Sequence, residues 1–307
     1  MAAIGRRRRR MVRAVKKLVA FLAGALLSGL VAAEVSVQDD IGATIRLAQP
    51  AHRIVTLAPH MAETLFAAGA GEKLVGTVEY SDFPEAAKKI PRVGGYSRLD
   101  LETIVALKPD LIIAWYSGNA PANLDKLRSF GFPIYVSQPN RLEDVANEIE
   151  RIGRLAGTEK TADAAARDYR VRLADLQKRY GQKPVVRTFY QIWKQPLSTV
   201  GGKQIISSVI RLCGGENVFG NLEAMAPVVT VEAVLAANPE AIITSGMGEA
   251  RPEWLDDWRR WPAISAVTRN NLFFVPPDLI QRHTPRLLEG AGLICQHLET
   301  ARNRRPK

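Results

Sequence analysis

Glu102-Thr103-Ile104-Val105-Ala106-Leu107-Lys108-Pro109-Asp110-Leu111-Ile112-Ile113 returns in the second half of the chain as Glu232-Ala233-Val234-Leu235-Ala236-Ala237-Asn238-Pro239-Glu240-Ala241-Ile242-Ile243. Each copy reads as an acidic residue opening a short helix, a Pro-acidic turn and a strand. Proline cannot continue a helix, so Pro109 and Pro239 mark the helix ends. The Leu-Ile-Ile and Ala-Ile-Ile runs suit strands covered on both faces. One such match is ordinary α/β grammar. Two predict a pair of similar lobes, each presenting one glutamate at a corresponding surface point.

Outward from the first copy, the chain begins with a leader. Arg6 to Arg10, Arg13, Lys16 and Lys17 form a basic region, and an apolar run follows from Leu18 to Ala33. That run is shorter than the roughly 20 residues of a bilayer span. It closes on Val31-Ala32-Ala33, the small residues a signal peptidase requires. The alternative is an uncleaved anchor. No cysteine follows the run to carry a lipid, so the reading is an exported protein of a Gram-negative periplasm. The leader also accounts for most of the net charge of +11: eight basic residues and no acidic ones precede Glu34, leaving +3 for the remainder. Only the tail from Arg302 to Lys307 is basic thereafter, which argues against a nucleic-acid partner.

Strands and helices alternate through the mature chain, implying parallel βαβ units. A hairpin is expected around Asp40-Ile41-Gly42. Strands follow at Arg53–Leu57, Leu74–Val78, the first repeat and Ile134–Val136. From Leu142 to Tyr180 the sequence turns charged and alanine-rich, and Ala162 to Tyr180 carries a helical pattern with Tyr169, Leu173 and Leu176 on one side. Its length and central position favour a connector between lobes over a simple surface helix. The second lobe restarts at Val185–Tyr190 and includes a helix at Ile205–Leu212, a strand at Leu272–Val275 and a terminal helix at Leu287–Ala301. The expected division is a leader at 1–33, an N-terminal lobe at 34–158, a connecting helix at 159–181 and a C-terminal lobe at 182–307. Cys213 and Cys295, the only thiols, are either one disulfide closing a long loop or two buried small side chains; an oxidising compartment favours the bond.

No constellation of catalytic residues stands out. The four histidines (His52, His60, His283, His297) are scattered without ligand spacing, which discounts a preassembled metal site. No nucleophile elbow, P-loop or dinucleotide fingerprint occurs. The loops instead carry aromatics. In doubly wound lobes ligands sit beyond the carboxyl ends of the strands, and Tyr80, Tyr96, Trp115 and Trp193 follow predicted strands or lie beside them. Asp278 and Arg282 follow the strand Leu272–Val275. Converging aromatic faces with a few polar groups describe a site for a large, mostly apolar molecule. Core or rim packing is the plainer reading of any one of them. Trp254, Trp258 and Trp261, at helical spacing, read as a packing face.

In Tyr80-Ser81-Asp82-Phe83-Pro84, Leu101-Glu102 through Ala114-Trp115, Gly118-Asn119-Ala120, Cys213-Gly214-Gly215-Glu216-Asn217 and Asp278 to Arg286, the chain resembles the periplasmic cobalamin-binding proteins of ABC importers. These belong to the wider class that binds iron–siderophores and haem. The resemblance spans Arg53 to the C-terminus. It implies an α/β fold of two Rossmann-like lobes with parallel sheets, joined by a single long rigid helix. It further implies that Tyr80 and Trp115 line a corrin site, that Tyr96 stands where a Trp is usual, and that Trp193 falls in a ligand loop. Asp278 and Arg282 match contacts to corrin amides, which both donate and accept. Glu102 and Glu232 match the acidic residues that dock on arginines of the inner-membrane permease.

Two departures stand out. Ala226-Pro227 replaces a Trp before the second docking glutamate, leaving a wall open or filled by Trp193 or Met225. His60 either faces the ligand's metal or is an ordinary loop histidine. The expectation is a monomeric, non-enzymatic receptor that has no cofactor of its own and carries cobalamin or another corrinoid as cargo. A receptor for an iron–siderophore or haem is the alternative, and a small-molecule enzyme the third reading. An anionic siderophore calls for several convergent cations, and only Arg282 is so placed.

Overall fold

Two parallel sheets built to one plan make up the protein. The computed structural model describes residues 34–306 except Tyr96 and residues 247–249; the expected leader lies outside the described residues. The chain enters through an antiparallel hairpin, β1 (Val35–Gln38) and β2 (Thr44–Leu47). Its turn is closed by Asp39, whose carboxylate accepts from the backbone N–H groups of Ile41 and Ala43. The first lobe then runs β3 (Ile54–Thr56), α1 (Pro59–Ala67), β4 (Leu74–Gly76), α2 (Leu101–Ala106), β5 (Leu111–Trp115), α3 (Pro121–Ser129) and β6 (Ile134–Ser137). All four strands pair in parallel, in the order β4-β3-β5-β6.

Two helices come next, α4 (Leu142–Ala156) and α5 (Glu159–Tyr180). α4 ends on Gly157, whose φ of +66° is the left-handed turn a helix stop uses. α5 has 22 residues, about 33 Å of helix at 1.5 Å per residue. Tyr169, Leu173 and Leu176 are buried along it, the side the periodicity marked. The two helices approach closely where Gly153 meets Ala162: a Cβ on Gly153 would lie 2.2 Å from the Ala162 methyl.

The second lobe comprises β7 (Val186–Trp193), β8 (Ser198–Thr199), α6 (Ile205–Leu212), β9 (Gly215–Asn217), α7 (Val231–Ala237), β10 (Ala241–Thr244), α8 (Ser265–Thr268), β11 (Leu272–Phe274), α9 (Pro277–Ile280) and α10 (Leu287–Asn303). Its parallel strands lie β9-β7-β10-β11, the order of the first sheet, and β8 adds an antiparallel pairing at the far end of β7. A strand order that reverses beside its first strand places a crevice there, between β3 and β5 in one lobe and β7 and β10 in the other.

The repeat is preserved in detail. Asp100 and Thr230 cap α2 and α7, accepting from the N–H groups of Thr103 and Ala233. Lys108 and Asn238 both adopt the left-handed conformation, at φ 47° and 41°. Asp110 then accepts from the N–H groups of His52 and Arg53, and Glu240 from that of Arg187. The second acidic residue of each copy thus ties its turn to the neighbouring strand.

Each sheet buries one face privately and one in common. Val55, Ile112 and Val136 pack with Ile104 and Leu127 in the first lobe, and Phe189 and Ile242 with Trp258 and Leu272 in the second. The opposite faces, with Ile54, Ile113, Tyr135, Tyr190 and Ile243, belong to one continuous core that also takes in α4, α5, α6 and α10. A shared core of this kind resists independent movement of the lobes. Cys213, just after α6, and Cys295 on α10 are bonded, with an S–S distance of 2.06 Å. Of the tryptophan stripe, Trp258 is buried and Trp254 half-buried on a 3₁₀ turn at Glu253–Arg260, and the half-buried Trp261 directly follows it.

Candidate functional site

Two buried hydroxyl contacts support the loop that follows β4. Thr77, just past β4, shares a 2.8 Å hydrogen bond with Thr56 at the end of β3 and donates to Ser81 at 2.8 Å. Ser81 is thereby held inward while Tyr80 projects outward, 71% exposed and at φ 63°. A non-glycine residue in that region needs support from its surroundings. It comes from the other lobe. Arg282 donates to the Tyr80 carbonyl oxygen at 3.2 Å and to Asp82 at 2.9 Å, and bridges to Asp278 at 2.9 Å. Tyr80, Asp278 and Arg282 are therefore one constellation across the lobes, with Asp82 as a member that the motif reading passed over.

Trp115 ends β5. Its backbone N–H donates to the Asn119 side-chain oxygen at 2.7 Å, and Asn119 in turn donates to Leu57 O at 2.9 Å. The Gly118-Asn119-Ala120 motif is thus a clamp beneath the tryptophan. The His60 ring meets the indole edge-on at 5.0 Å, and His283 of the other lobe lies 5.8 Å from His60. Both histidines are buried. Burial, first, then His283 and Arg282 lower the His60 pKa well below the usual value. Burial alone lowers that of His283 to about 4. Both are neutral near neutral pH. His60 Nε2 is enclosed without a hydrogen-bond partner, which sets it in the seam between the lobes and not toward an open cleft.

Trp193 requires a correction. It does not follow its strand: β7 extends through it, because β8 pairs with Gln191 and Trp193 and prolongs the ladder. It is 40% exposed and makes no ring contact with Tyr80 or Trp115. Its neighbour Lys194 pairs with Asp257 at 2.8 Å. Ala226 and Val228 are exposed nearby, and Met225 is half-buried. Tyr96 lies outside the described residues. Tyr116, 60% exposed directly after Trp115, is an aromatic at the same strand end that the sequence reading did not single out. Its place one residue beyond the β5 motif was the available signal.

Glu102 and Glu232 are the second residues of α2 and α7, both exposed, and neither forms a salt bridge among the described residues. In a βαβ unit a helix starts on the side where the preceding strand ends, so both glutamates stand on the side of the carboxyl strand ends. Among the described residues, no group of three or more His, Cys, Asp or Glu side chains gathers to hold a metal, and no helix is long and apolar enough to cross a membrane.

Two lobes of one strand order, a long helix between them and loops converging at the carboxyl strand ends define a bilobal binding protein. The sequence pattern of the family described as periplasmic binding protein matches residues 54–279, and the chain belongs to that family. It is 40% identical over 260 residues to the vitamin B12-binding protein of Vibrio parahaemolyticus serotype O3:K6 (strain RIMD 2210633), covering 84% of this chain and 93% of the relative. It is 35% identical over 251 residues to the vitamin B12-binding protein of Yersinia pestis (strain Pestoides F), covering 82% and 88%. Among solved structures it resembles the periplasmic vitamin B12-binding protein BtuF of Vibrio cholerae, at 39% identity and a TM-score of 0.76, over 82% of this chain and 98% of that one. The periplasmic haem-binding protein HutB of Vibrio cholerae shares the fold, at 21% identity and a TM-score of 0.70, over 80% and 98%.

Proposed function

We propose that the protein captures cobalamin or a related corrinoid between its lobes in the periplasm and delivers it to an inner-membrane ABC permease. The observation that carries this reading is the Arg282 constellation: one partly buried guanidinium joins Asp278, Asp82 and the carbonyl of an outward-facing tyrosine across the lobes. Relatives at 35–40% identity that are named for vitamin B12 support it. Tyr80, Trp115 and Trp193, with Tyr96, supply apolar faces for a broad macrocycle. Asp278 and Arg282 present an acceptor and donors to its amides. Binding makes and breaks no covalent bond and needs no resident cofactor.

Glu102 and Glu232, one per lobe, are the anionic points for permease arginines. The lobes are divided at 158 and 182 by the long helix. Residues 1–33 are a cleavable leader, and the mature protein acts as a monomer. Titration with cyanocobalamin, followed by tryptophan quenching, tests the ligand. Saturation with a Kd in the range of roughly 1 nM to 1 μM, about −12 to −8 kcal/mol, is expected. Saturation by haemin or a ferric siderophore in its place would overturn the assignment.

A further inference from the structure

Arg286 immediately precedes α10, yet its side chain leaves its own lobe. Nε and Nη2 donate to the two carboxylate oxygens of Glu63 on α1, each at 2.8 Å, between residues 223 positions apart. Only the planar guanidinium fork supplies such a two-point fit. The Glu63 side chain is 3% exposed and that of Arg286 18%, so the pair is desolvated and unlike a surface ion pair. The guanidinium carbon also lies 3.7 Å from the centre of the Phe83 ring, a cation–π contact on a face that water cannot occupy. Phe66, Ala67, Pro84 and Pro285 line a crevice of about 280 Å³ alongside.

Phe83 belongs to the loop that carries Tyr80. Arg282 grips that loop at Tyr80 and Asp82, and Arg286 grips it at Phe83. The loop is covalently part of the N-terminal lobe but is held at both points by arginines of the C-terminal lobe. We propose that Glu63, Phe83 and Arg286 are positioning residues of the cleft. The Glu63–Arg286 pair sets the spacing of the lobes at the Tyr80 loop, and Phe83 transmits that position to Tyr80 before any ligand arrives. A loop already ordered contributes no ordering cost on binding. What is bound rests on the corrinoid reading; the clasp itself does not.

Two variants of the mature chain test this. Arg286→Lys keeps the charge but loses the fork and the flat face. Phe83→Leu keeps apolar bulk and leaves no charge unpaired, so it preserves the test if Arg286→Lys fails to fold. Each is measured by cyanocobalamin titration and dissociation rate, and by hydrogen exchange of residues 79–86 in the ligand-free protein, with α4 and α5 as internal reference. Each variant should raise Kd about tenfold, mainly through faster dissociation. Exchange should rise in the loop and not in α4 or α5, and the double variant should be no worse than the more affected single one. A lower Tm with unchanged Kd and unchanged loop exchange would overturn the proposal. If the wild type binds no cyanocobalamin, the corrinoid reading falls, and loop exchange alone decides the clasp.

Discussion

Trp115 and Gly118 fit together so closely that a Cβ on Gly118 would stand 1.8 Å from the indole Cε3. The glycine is required by this approach, since the indole lies where any side chain would begin. With Asn119 holding the backbone below and the His60 ring at its edge, Trp115 is fixed before binding. Gly118→Ala should displace the indole and weaken cyanocobalamin binding by at least about tenfold. Near-UV circular dichroism should register the moved ring while far-UV spectra stay unchanged. Unchanged affinity would remove Trp115 from the site.

Stability should fall on both sides of neutral pH for separate reasons. Glu148 is fully buried on α4, with neither carboxylate oxygen hydrogen-bonded. Burial, first, and Asp40 push its pKa up to about 8; Ser137, outside good hydrogen-bond geometry, and Arg151 oppose the shift. Unfolded, the group ionises near 4.5. Its contribution is therefore complete below pH 4.5 and lost as pH climbs towards 8. Glu148→Gln should melt above the wild type at pH 8–9, by on the order of a few kcal/mol, and the gap should close towards pH 5. His283 runs the other way. Its pKa is lowered from 6.5 to about 4, so its contribution is present above pH 6.5 and declines towards pH 4. His283→Gln should reduce that acid-side loss. Melting curves across pH check both limbs.

The Cys213–Cys295 bond joins the end of α6 to α10 across a sequence separation of 82. Closing a loop of that length contributes about 4 kcal/mol on a chain-entropy account. The Cys213→Ala, Cys295→Ala double variant should therefore melt several degrees lower, with ligand affinity nearly unchanged because both cysteines are buried in the shared core. Differential scanning calorimetry with and without reductant measures the difference.

On the proposed docking of Glu102 and Glu232, Glu102→Arg or Glu232→Arg should leave cyanocobalamin affinity unchanged and reduce cobalamin uptake in cells, because like charges would then face each other. The double reversal should reduce uptake further. Equal loss of binding and uptake would place the glutamates in the ligand site.

The lobes were legible because their signals are local. The repeated helix–Pro–acid–strand unit carries its own caps, turn and burial, and α5 announces itself by the periodicity from Ala162 to Tyr180. Trp193 was misplaced by a short extension of β7 whose cause is antiparallel pairing with the two-residue β8 that follows it, a strand too short to show in the pattern. The clasp was not legible. Glu63 reads as one polar residue on an apolar helix and Arg286 as one of many arginines; their pairing exists only once both lobes are assembled. His60 stood out in the sequence, but its neighbour His283 did not, and only the assembled seam brings the two together. The sequence marks what each lobe does alone, and these contacts lie between the lobes.

The most direct measurement is an equilibrium titration of the purified mature protein with cyanocobalamin, read by tryptophan fluorescence, with haemin and a ferric siderophore as parallel ligands. The account predicts saturable one-to-one quenching by cyanocobalamin at submicromolar concentration, that is, below about 1 μM, and much weaker responses to the other two. No saturation by cyanocobalamin at high micromolar concentration, or tighter binding of haemin, would contradict it.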